Sequence, residues 1–260
     1  MKDVQNSQDC RNVDIQKVGI TDIDLPLRIQ RKNKSDLVVS GVARAAVSLP
    51  RNYKGTHMSR FVEVFNEWRE KDMLGVDIKG CLEKIIKKLH AQSGELKFKF
   101  KYFINKKAPV SKLTAPMSYD CSFEGRIDEC GYYKFILGAK VPVTTLCPCS
   151  KEISEYGAHN QRAIISVKIS YDEKDHIWLE DLIELVESCA SCQLYSLLKR
   201  QDEKYVTEKA WENPRFVEDV LREVVVKLRN NQIVKEFEID CEAFESIHNH
   251  SAWAYQKEVK

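Results

Sequence analysis

The 260-residue sequence lacks three features that would each assign it to a broad class of proteins. No stretch approaches the roughly 20 consecutive apolar residues of a membrane-spanning helix. The formal net charge is only +2, too small for a protein that binds nucleic acid through excess basic charge. The opening residues, MKDVQNSQDC, contain no apolar segment of the signal-peptide kind. We therefore expect a cytoplasmic protein with no membrane and no nucleic acid among its partners.

The sequence also lacks the even cysteine count of a disulfide framework, since it has nine cysteines. A chain of this length can bury a hydrophobic core without cross-links, and reduced thiols are the rule in the cytoplasm. Some of these thiols are then available as metal ligands or nucleophiles.

Apolar residues recur with two different periods, which predicts an α+β protein. The segment ELKFKFKYFI alternates apolar residues with lysines, a pattern typical of an antiparallel strand with one solvent-facing side. The segments SRFVEVFNEWREKD and DIKGCLEKIIKKLH place apolar residues at helical spacing. A later segment, NPRFVEDVLREVVVKLRN, is expected to form a helix with Asn213 as its N-cap and Pro214 at its first position.

The order of strands, two helices and strands occurs twice along the chain. We therefore expect an N-terminal arm at 1–35 with one possible strand in VGITDIDLPLRI, a first unit at 36–128, and a second unit at 129–260 that ends with a closing strand in IVKEFEIDCEAFESI. The pattern Gly-x-His-x-x-Arg occurs once in each half, at 55–60 and at 157–162. A motif at matching places in both halves would support an internal duplication.

The segment TTLCPCSKEISEYGAHNQR, at 144–162, combines thiols with an imidazole. Pro148 prevents the preceding strand from continuing, so Cys147 and Cys149 are expected at a strand end. His159 precedes the next strand, and a returning loop would bring it to the same end of the sheet. Thiolate and neutral imidazole are preferred ligands of zinc-like ions. The alternative is a buried loop cysteine beside a hydrogen-bonded histidine.

Cys189 and Cys192 form the one Cys-x-x-Cys pair of the sequence. With Cys147 and Cys149 they could close a structural zinc site that has four protein ligands and no open position. Alternatively, they are small buried residues at the end of a helix. If only three protein ligands converge on a metal, the fourth position is open to water and the site is hydrolytic.

Two further segments carry groups suited to chemistry. In FESIHNHSAWA, His248 and His250 share a face if the chain is extended, which favours a proton relay or a pair of ligands over a polar turn, whereas Glu245 lies on the opposite face unless the chain bends. In LLKRQDEKYVTE, Lys199 and Arg200 could clamp phosphate oxygens, and Asp202 or Glu203 could be a carboxylate metal ligand. A solvated helix face is the alternative for this second segment.

The sequence resembles GTP cyclohydrolase I of type IB. The motifs LCPCSKEISEYGAHNQR, LLKRQDEKYVTE, NPRFVED and FESIHNHSA are similar to those of that family and occur in the same order. The resemblance implies the tunnelling fold (T-fold), with two tandem ββααββ units whose antiparallel sheets carry helices on one face. It also implies a homotetramer with sites between subunits, one divalent metal per subunit (zinc, manganese or iron), and hydrolysis of GTP to 7,8-dihydroneopterin triphosphate and formate, the first step of tetrahydrofolate biosynthesis.

The resemblance also implies roles for individual residues. The metal ligands are Cys147, which is also catalytic, with His159 and Glu203. The acid–base group is Glu245, His248 and His250. Glu218 accepts hydrogen bonds from guanine, and Cys149 is a neighbour of the metal ligands. The triphosphate also needs cations, and we expect a loop that reaches a neighbouring subunit's metal centre to supply them, with a second basic group competing for the role. The loop provides Arg51, Lys54, His57 and Arg60, and the competitors are Arg162, Lys199 and Arg200.

Two other classes of protein remain open at this point. A nitrile reductase of queuosine synthesis, built on a related fold, would use Cys147 or Cys149 to form a covalent thioimide with a 7-deazaguanine. The sequence has no motif resembling the Glu-Ser-Lys of that family. A structural-zinc protein without catalysis would use the four-cysteine set described above.

Overall fold

The computed structural model describes residues 5, 7–32, 34–68 and 75–260, with only the backbone given at 75 and 76. The chain divides into two units. The first unit comprises Met1–Lys101, Ser122–Leu137 and Asp172–Lys174. The second unit comprises Tyr102–Cys121, Gly138–Tyr171 and Asp175–Lys260.

The described elements follow the ββααββ order twice. The first set is β1 Ile15–Arg31, β2 Lys34–Leu49, α1 Met58–Trp68, α2 Gly75–Leu89, β3 Gly94–Lys107 and β4 Thr114–Ile127. The second set is β5 Tyr133–Leu146, β6 Asn160–Tyr171, α4 Leu179–Glu187, α6 Val217–Asn230, β8 Val234–Ala243 and β9 Ala252–Val259. Three further elements lie within the second set: α3 Pro148–Ile153, β7 Cys192–Gln193 and α5 Arg200–Glu212.

The described strands form one sheet in the order β1-β2-β3-β4-β5-β6-β8-β9, with β7 paired to β5. The registered pairs are antiparallel, as the alternating segments predicted. The α+β class is therefore confirmed. Strands β3, β4 and β5 each run through both units, which is why neither unit is a single continuous segment.

In the first unit, the amphipathic helices lie against the strands because their apolar faces need cover. Phe65 of α1 lies 6.2 Å from Phe98 of β3 between ring centroids. Gly125 allows α2 to approach β4, since a Cβ built there would lie 2.7 Å from Cγ2 of Ile78. A side chain at position 125 would push the helix off the sheet.

Most of the segment expected to be an N-terminal arm is the long strand β1, paired with β2 from Ile15 to Arg31. The alternation in its sequence is hidden because the register shifts between Ile20 and Ile23, where Asp22 has a φ of 59°. Pro26 is tolerated because β1 is at one end of the strand order. The possible strand in VGITDIDLPLRI is therefore confirmed, as part of a longer strand whose ends the interrupted alternation did not reveal.

The expected start of α6 was wrong. The helix begins at Val217, and Asn213 is instead the C-cap of α5, with its side chain donating to the carbonyl oxygen of Ala190 at 2.9 Å. Asp219 provides the cap that Asn213 was expected to give, since its carboxylate accepts a hydrogen bond from the Phe216 amide at 3.0 Å. Part of the other helical prediction, residues 69–72, lies outside the described residues.

The two Gly-x-His-x-x-Arg motifs do not occupy matching places. The motif at 55–60 follows the second strand of its set and leads into α1, whereas the motif at 157–162 lies between the first and second strands of its set. The order of elements supports two ββααββ units, and the short motif does not add to that support. The expected closing strand at 233–247 also ends earlier, at Ala243, and a further strand, β9, follows.

Candidate active site

The loop after β5 places Cys147 at the start of a short helix. Cys147 is the N-cap of α3, and its Sγ accepts a hydrogen bond from the Ser150 amide at 3.4 Å. Pro148 is the first helical residue, where its missing N–H would have had no partner anyway. The same proline therefore ends the strand and begins the helix, and a backbone N–H stabilises negative charge on the sulfur.

The returning chain holds His159 beside Cys147. The amide of Cys147 donates to the His159 carbonyl oxygen at 3.1 Å, and the amide of His159 donates to Ser150 Oγ at 3.1 Å. The expectation that this loop brings thiol and imidazole residues together is met at the level of the backbone. Ser150, which the sequence did not single out, contacts both of them.

The His159 ring belongs to a chain of three side chains. Its Nδ1 lies 3.0 Å from Gln161 Oε1, and Gln161 Nε2 donates to Glu245 Oε1 at 3.1 Å. The pairing of β6 with β8 brings Glu245 here, because the Phe244 amide donates to the Arg162 carbonyl oxygen at 2.9 Å. The side chains of His159 and Glu245 are only 15% and 13% exposed, so water competes weakly for these bonds.

Asp202 and Glu203 are adjacent acids in very different surroundings. Asp202 is fully buried, and its carboxylate accepts hydrogen bonds from the amides of Val110 and Ser111 at 2.8 Å each and from the amide of Lys199 at 2.9 Å. Burial alone would raise the pKa of Asp202, but these N–H donors outweigh it and hold the pKa well below its usual range. The Asp202 carboxylate therefore holds three backbone amides, two in the loop between β3 and β4 and one at the start of α5.

Glu203 is exposed and makes no hydrogen bond through its carboxylate to the residues the structure describes. It lies one turn before Val206, which packs with Ala158 against the buried cluster of Leu146, Cys192 and Ala210. Leu146 and Ala158 directly precede Cys147 and His159. This packing brings the Glu203 face of α5 towards the thiol–imidazole loop and favours Glu203 over Asp202 as a ligand.

Two of the side chains at this site offer donor atoms that suit a metal ion. Cys147 offers a sulfur with a stabilising N–H, and His159 offers Nε2, which has no hydrogen bond within the described ranges. These donors suit zinc, manganese or iron to different degrees. However, the part of the chain that the structure describes contains no group of three or more His, Cys, Asp or Glu side chains already arranged to hold an ion. The set of Cys147, His159 and Glu203 therefore stays a prediction.

The segment that precedes α6 is tied to the same strand end. The Arg215 amide donates to the Leu146 carbonyl oxygen at 3.0 Å, one residue before Cys147. Glu218 follows in the first turn of α6, where it is exposed. The segment that leads into α6 is thus anchored beside Cys147. This placement is compatible with the contact to a base that is expected of Glu218.

His248 and His250 lie in the exposed turn between β8 and β9. Their rings are stacked, with centroids 5.1 Å apart and planes at 13°. The shared orientation expected from the sequence is present, although the segment is a turn and not a strand. Glu245 does not join them, because its carboxylate is bonded to Gln161.

The basic residues assigned to the triphosphate lie in both units. Lys199 and Arg200 are exposed at the start of α5 in the second unit. Lys54, His57 and Arg60 are in the first unit, where Arg60 Nη1 donates to the Lys88 carbonyl oxygen at 2.9 Å near the end of α2. That bond gives Arg60 a structural role and leaves its remaining N–H groups for other acceptors.

The buried thiols argue against a four-cysteine zinc site. Cys189 Sγ donates to the Leu185 carbonyl oxygen at 3.2 Å, and Cys192 packs in the cluster with Leu146. Burial raises the pKa of both thiols, which disfavours the thiolate that a metal requires. Cys149, in contrast, is exposed.

No described helix is long and apolar enough to span a membrane.

Comparison with solved structures defines the class of fold. The structure is similar to uricase from Arthrobacter globiformis, with a TM-score of 0.57 and 7% identity over 94% of this chain and 93% of that one. It is also similar to a uricase from Bacillus fastidious, with a TM-score of 0.51 and 10% identity over 94% and 92% of the two chains. At such identities the likeness concerns the fold alone, and it confirms the tunnelling fold.

Sequence comparison then gives the family. The model described as "Type I GTP cyclohydrolase folE2" matches residues 1–254. The chain is 51% identical over 254 residues to GTP cyclohydrolase FolE2 of Geotalea uraniireducens (strain Rf4), covering 98% of this chain and 92% of that protein. It is 47% identical over 252 residues to GTP cyclohydrolase FolE2 of Azoarcus sp. (strain BH72), covering 97% and 93%. The chain belongs to the type I GTP cyclohydrolase FolE2 family and is an enzyme.

Proposed function

We propose that this protein hydrolyses GTP to 7,8-dihydroneopterin triphosphate and formate as the first step of tetrahydrofolate biosynthesis. The observation that carries the proposal is the connected group at the end of β5, where Cys147 and His159 share backbone hydrogen bonds and His159 leads through Gln161 to Glu245. The full-length likeness to curated GTP cyclohydrolases supports it and disfavours a thioimide-forming nitrile reductase.

Cys147, His159 and Glu203 would hold one divalent metal per subunit. A bound metal supplies Lewis acidity, which activates water for attack on C8 of the purine. Ser150 would keep Cys147 and His159 in place through its amide and its hydroxyl. Cys149 would be an exposed neighbour of the ligands.

Recognition of the base would fall to Glu218. A carboxylate accepts hydrogen bonds from both N1–H and the 2-amino group of guanine, whereas adenine cannot offer that pair of donors. Lys199 and Arg200 provide positive charge for the triphosphate in the same unit, and Lys54, His57 and Arg60 provide it in the first unit. The homotetramer with sites between subunits that the family resemblance implies is part of this proposal.

Proton transfers would fall to the stacked histidines and Glu245. Opening of the imidazole ring requires a proton at N7, and later opening of the ribose requires one at its ring oxygen. His248 and His250 are exposed, and histidine is the side-chain type best suited to both donate and accept a proton in catalysis. A second hydrolysis releases C8 as formate, and rearrangement of the ribose with ring closure completes the pterin.

The test is turnover of GTP by purified protein reconstituted separately with zinc, manganese or ferrous iron. Formate release and the fluorescence of the oxidised pterin measure the product. We expect product from the wild type and none from Cys147→Ala, because that change removes a metal ligand. Cys130→Ala, which alters an exposed cysteine in the β4–β5 turn, should leave turnover unchanged. No product from the wild type with any of the three metals would contradict the proposal.

A further inference from the structure

Gln161 is the one side chain that hydrogen-bonds to both His159 and Glu245 within the described ranges, and these two partners approach each other directly only to 3.9 Å, between His159 Nδ1 and Glu245 Oε2. Its amide oxygen lies 3.0 Å from His159 Nδ1, and its amide nitrogen lies 3.1 Å from Glu245 Oε1. Gln161 and His159 are two residues apart where the chain enters β6, so their side chains project to the same side. Glu245 is 84 positions away from Gln161 in the chain.

The direction of these hydrogen bonds follows from which atoms of the three side chains can donate and which can only accept. A carboxylate only accepts hydrogen bonds, so the NH2 group of Gln161 must face Glu245. The amide oxygen of Gln161 therefore faces His159, and a carbonyl oxygen only accepts. His159 must then carry its proton on Nδ1, which leaves the lone pair on Nε2. Neutral imidazole with a free Nε2 is the form that ligates metals.

We propose that Gln161 is a positioning residue that fixes the tautomer and orientation of His159 and holds Glu245 in register with it. The proposal rests on the proposed function, since it gives His159 the role of metal ligand and Glu245 an acid–base role. A ligand histidine commonly donates its other N–H to an acceptor that orients it, and loss of that acceptor costs about 10- to 100-fold in metal affinity. Gln161 differs from a simple acceptor because it also donates to a second functional group.

Three variants separate the two bonds. Gln161→Met has similar length but neither donates nor accepts strongly, so it should lose both bonds. Gln161→Glu keeps an acceptor for His159 but places a second carboxylate against Glu245, so it should lose only the second bond. Gln232→Met is the matched control, since Gln232 is exposed in the turn between α6 and β8.

The first measurement is the tautomer of His159 in the metal-free full-length protein, from long-range proton–nitrogen NMR of the ring nitrogens. We expect the proton on Nδ1 in the wild type, in Gln161→Glu and in Gln232→Met, and a mixture of tautomers in Gln161→Met. This measurement needs neither metal nor GTP, so it judges Gln161 even if GTP turnover is absent. An unchanged tautomer in Gln161→Met would overturn the role at His159.

The second measurement is affinity for zinc and manganese, by competition with a chromophoric chelator, followed by steady-state kinetics with GTP. We expect Gln161→Met to bind metal about 10- to 100-fold more weakly. At saturating metal, Gln161→Glu should reduce kcat more than it raises KM, because it displaces Glu245 and leaves substrate contacts in place. Wild-type metal affinity in Gln161→Met, or wild-type kcat in Gln161→Glu, would overturn the corresponding half of the proposal.

Discussion

Ser150 shows how one small residue can organise two functional side chains. Its backbone N–H donates to Cys147 Sγ, and its hydroxyl accepts from the His159 amide. The first bond depends on the start of α3, and the second depends on the hydroxyl alone. A substitution that removes only the hydroxyl therefore separates the two contributions.

We predict that Ser150→Ala weakens metal binding moderately. One hydrogen bond to a backbone amide contributes about 1 kcal/mol, so the metal dissociation constant should rise about fivefold. Ser150→Thr, which keeps a hydroxyl, should recover most of the affinity. Ser154→Ala is the matched control at the C-cap of the same helix, because Ser154 Oγ accepts only a long 3.4 Å bond from the Tyr156 amide. Chelator competition measures all four proteins, and equal affinity of Ser150→Ala and wild type would count against the role of Ser150.

The sequence identified the residues with distinctive chemistry but not the residues that hold them. Cys147 and His159 stand out because thiols and imidazoles are scarce, with nine cysteines and six histidines in the sequence, and Glu245 stands out because it lies close to His248 and His250 in the chain. Ser150 and Gln161 are within the same quoted motif, but serine and glutamine occur throughout any surface. Their roles depend on partners supplied by folding, above all the contact between β6 and β8 that brings Glu245 to Gln161.

At the scale of elements, the start of α5 is fixed to the loop between β3 and β4. Asp202 accepts from the Lys199 amide at the helix start and from the amides of Val110 and Ser111 in that loop. Lys199 and Glu203, both proposed to contact ligands, lie within three residues of this carboxylate. The helix start is thus held by the buried acid, and the exposed acid beside it remains for chemistry.

We predict that Asp202→Asn destabilises the protein more than Asp219→Asn. Both acids accept a hydrogen bond from the N-cap amide of their helix, but only Asp202 also holds a loop. An asparagine at 202 would turn an NH2 group towards backbone donors and leave buried N–H groups without partners. Thermal unfolding and hydrogen exchange of the Val110 and Ser111 amides measure the difference. Equal loss of stability in the two variants would contradict the loop role of Asp202.

The same carboxylate predicts a direction of pH dependence. Because the folded pKa of Asp202 is depressed, its contribution to stability is present above the ordinary aspartate pKa of about 4 and is lost as the pH falls below that value. The variant Asp202→Asn should therefore lose less stability on acidification than the wild type.

Element boundaries show why local sequence was insufficient for part of the fold. Asn213 and Pro214 look like the start of a helix, but Asn213 bonds to the carbonyl of Ala190, and the cap comes from Asp219. Strand β1 extends beyond the strand expected in VGITDIDLPLRI because the register shift around Asp22 interrupts its alternation, and β9 was not predicted because the segment after the histidine turn is short. The strands and helices with strong periodicity were predicted correctly, because burial of one face alone determines them.

At the scale of the whole molecule, strands β1 and β9 stand at the two ends of the strand order. Within the described residues, each pairs with a neighbouring strand along one edge only. Strand β9 exposes apolar side chains on one face, including Trp253, Tyr255 and Val259, which are 63%, 44% and 76% exposed. An edge strand with exposed apolar residues is a template for pairing with another chain. Pairing of one edge with the opposite edge of the next copy is a head-to-tail contact, which closes into a ring when the rotation per copy allows it.

We predict that the protein in solution has about four times the 30.1 kDa mass of the chain, and that Val259→Lys lowers that mass. A lysine there would place charge in an apolar contact without touching the proposed metal or acid–base residues. Val226→Lys is the matched control, because Val226 is 50% exposed and belongs to helix α6, not to an edge strand. Size-exclusion chromatography with light scattering, over a range of protein concentrations, measures the mass.

A wild-type monomer, or a Val259→Lys assembly as stable to dilution as the wild type, would show that β9 is not the contact. If Val259→Lys dissociates and also loses GTP turnover while it keeps its metal, the site needs more than one subunit.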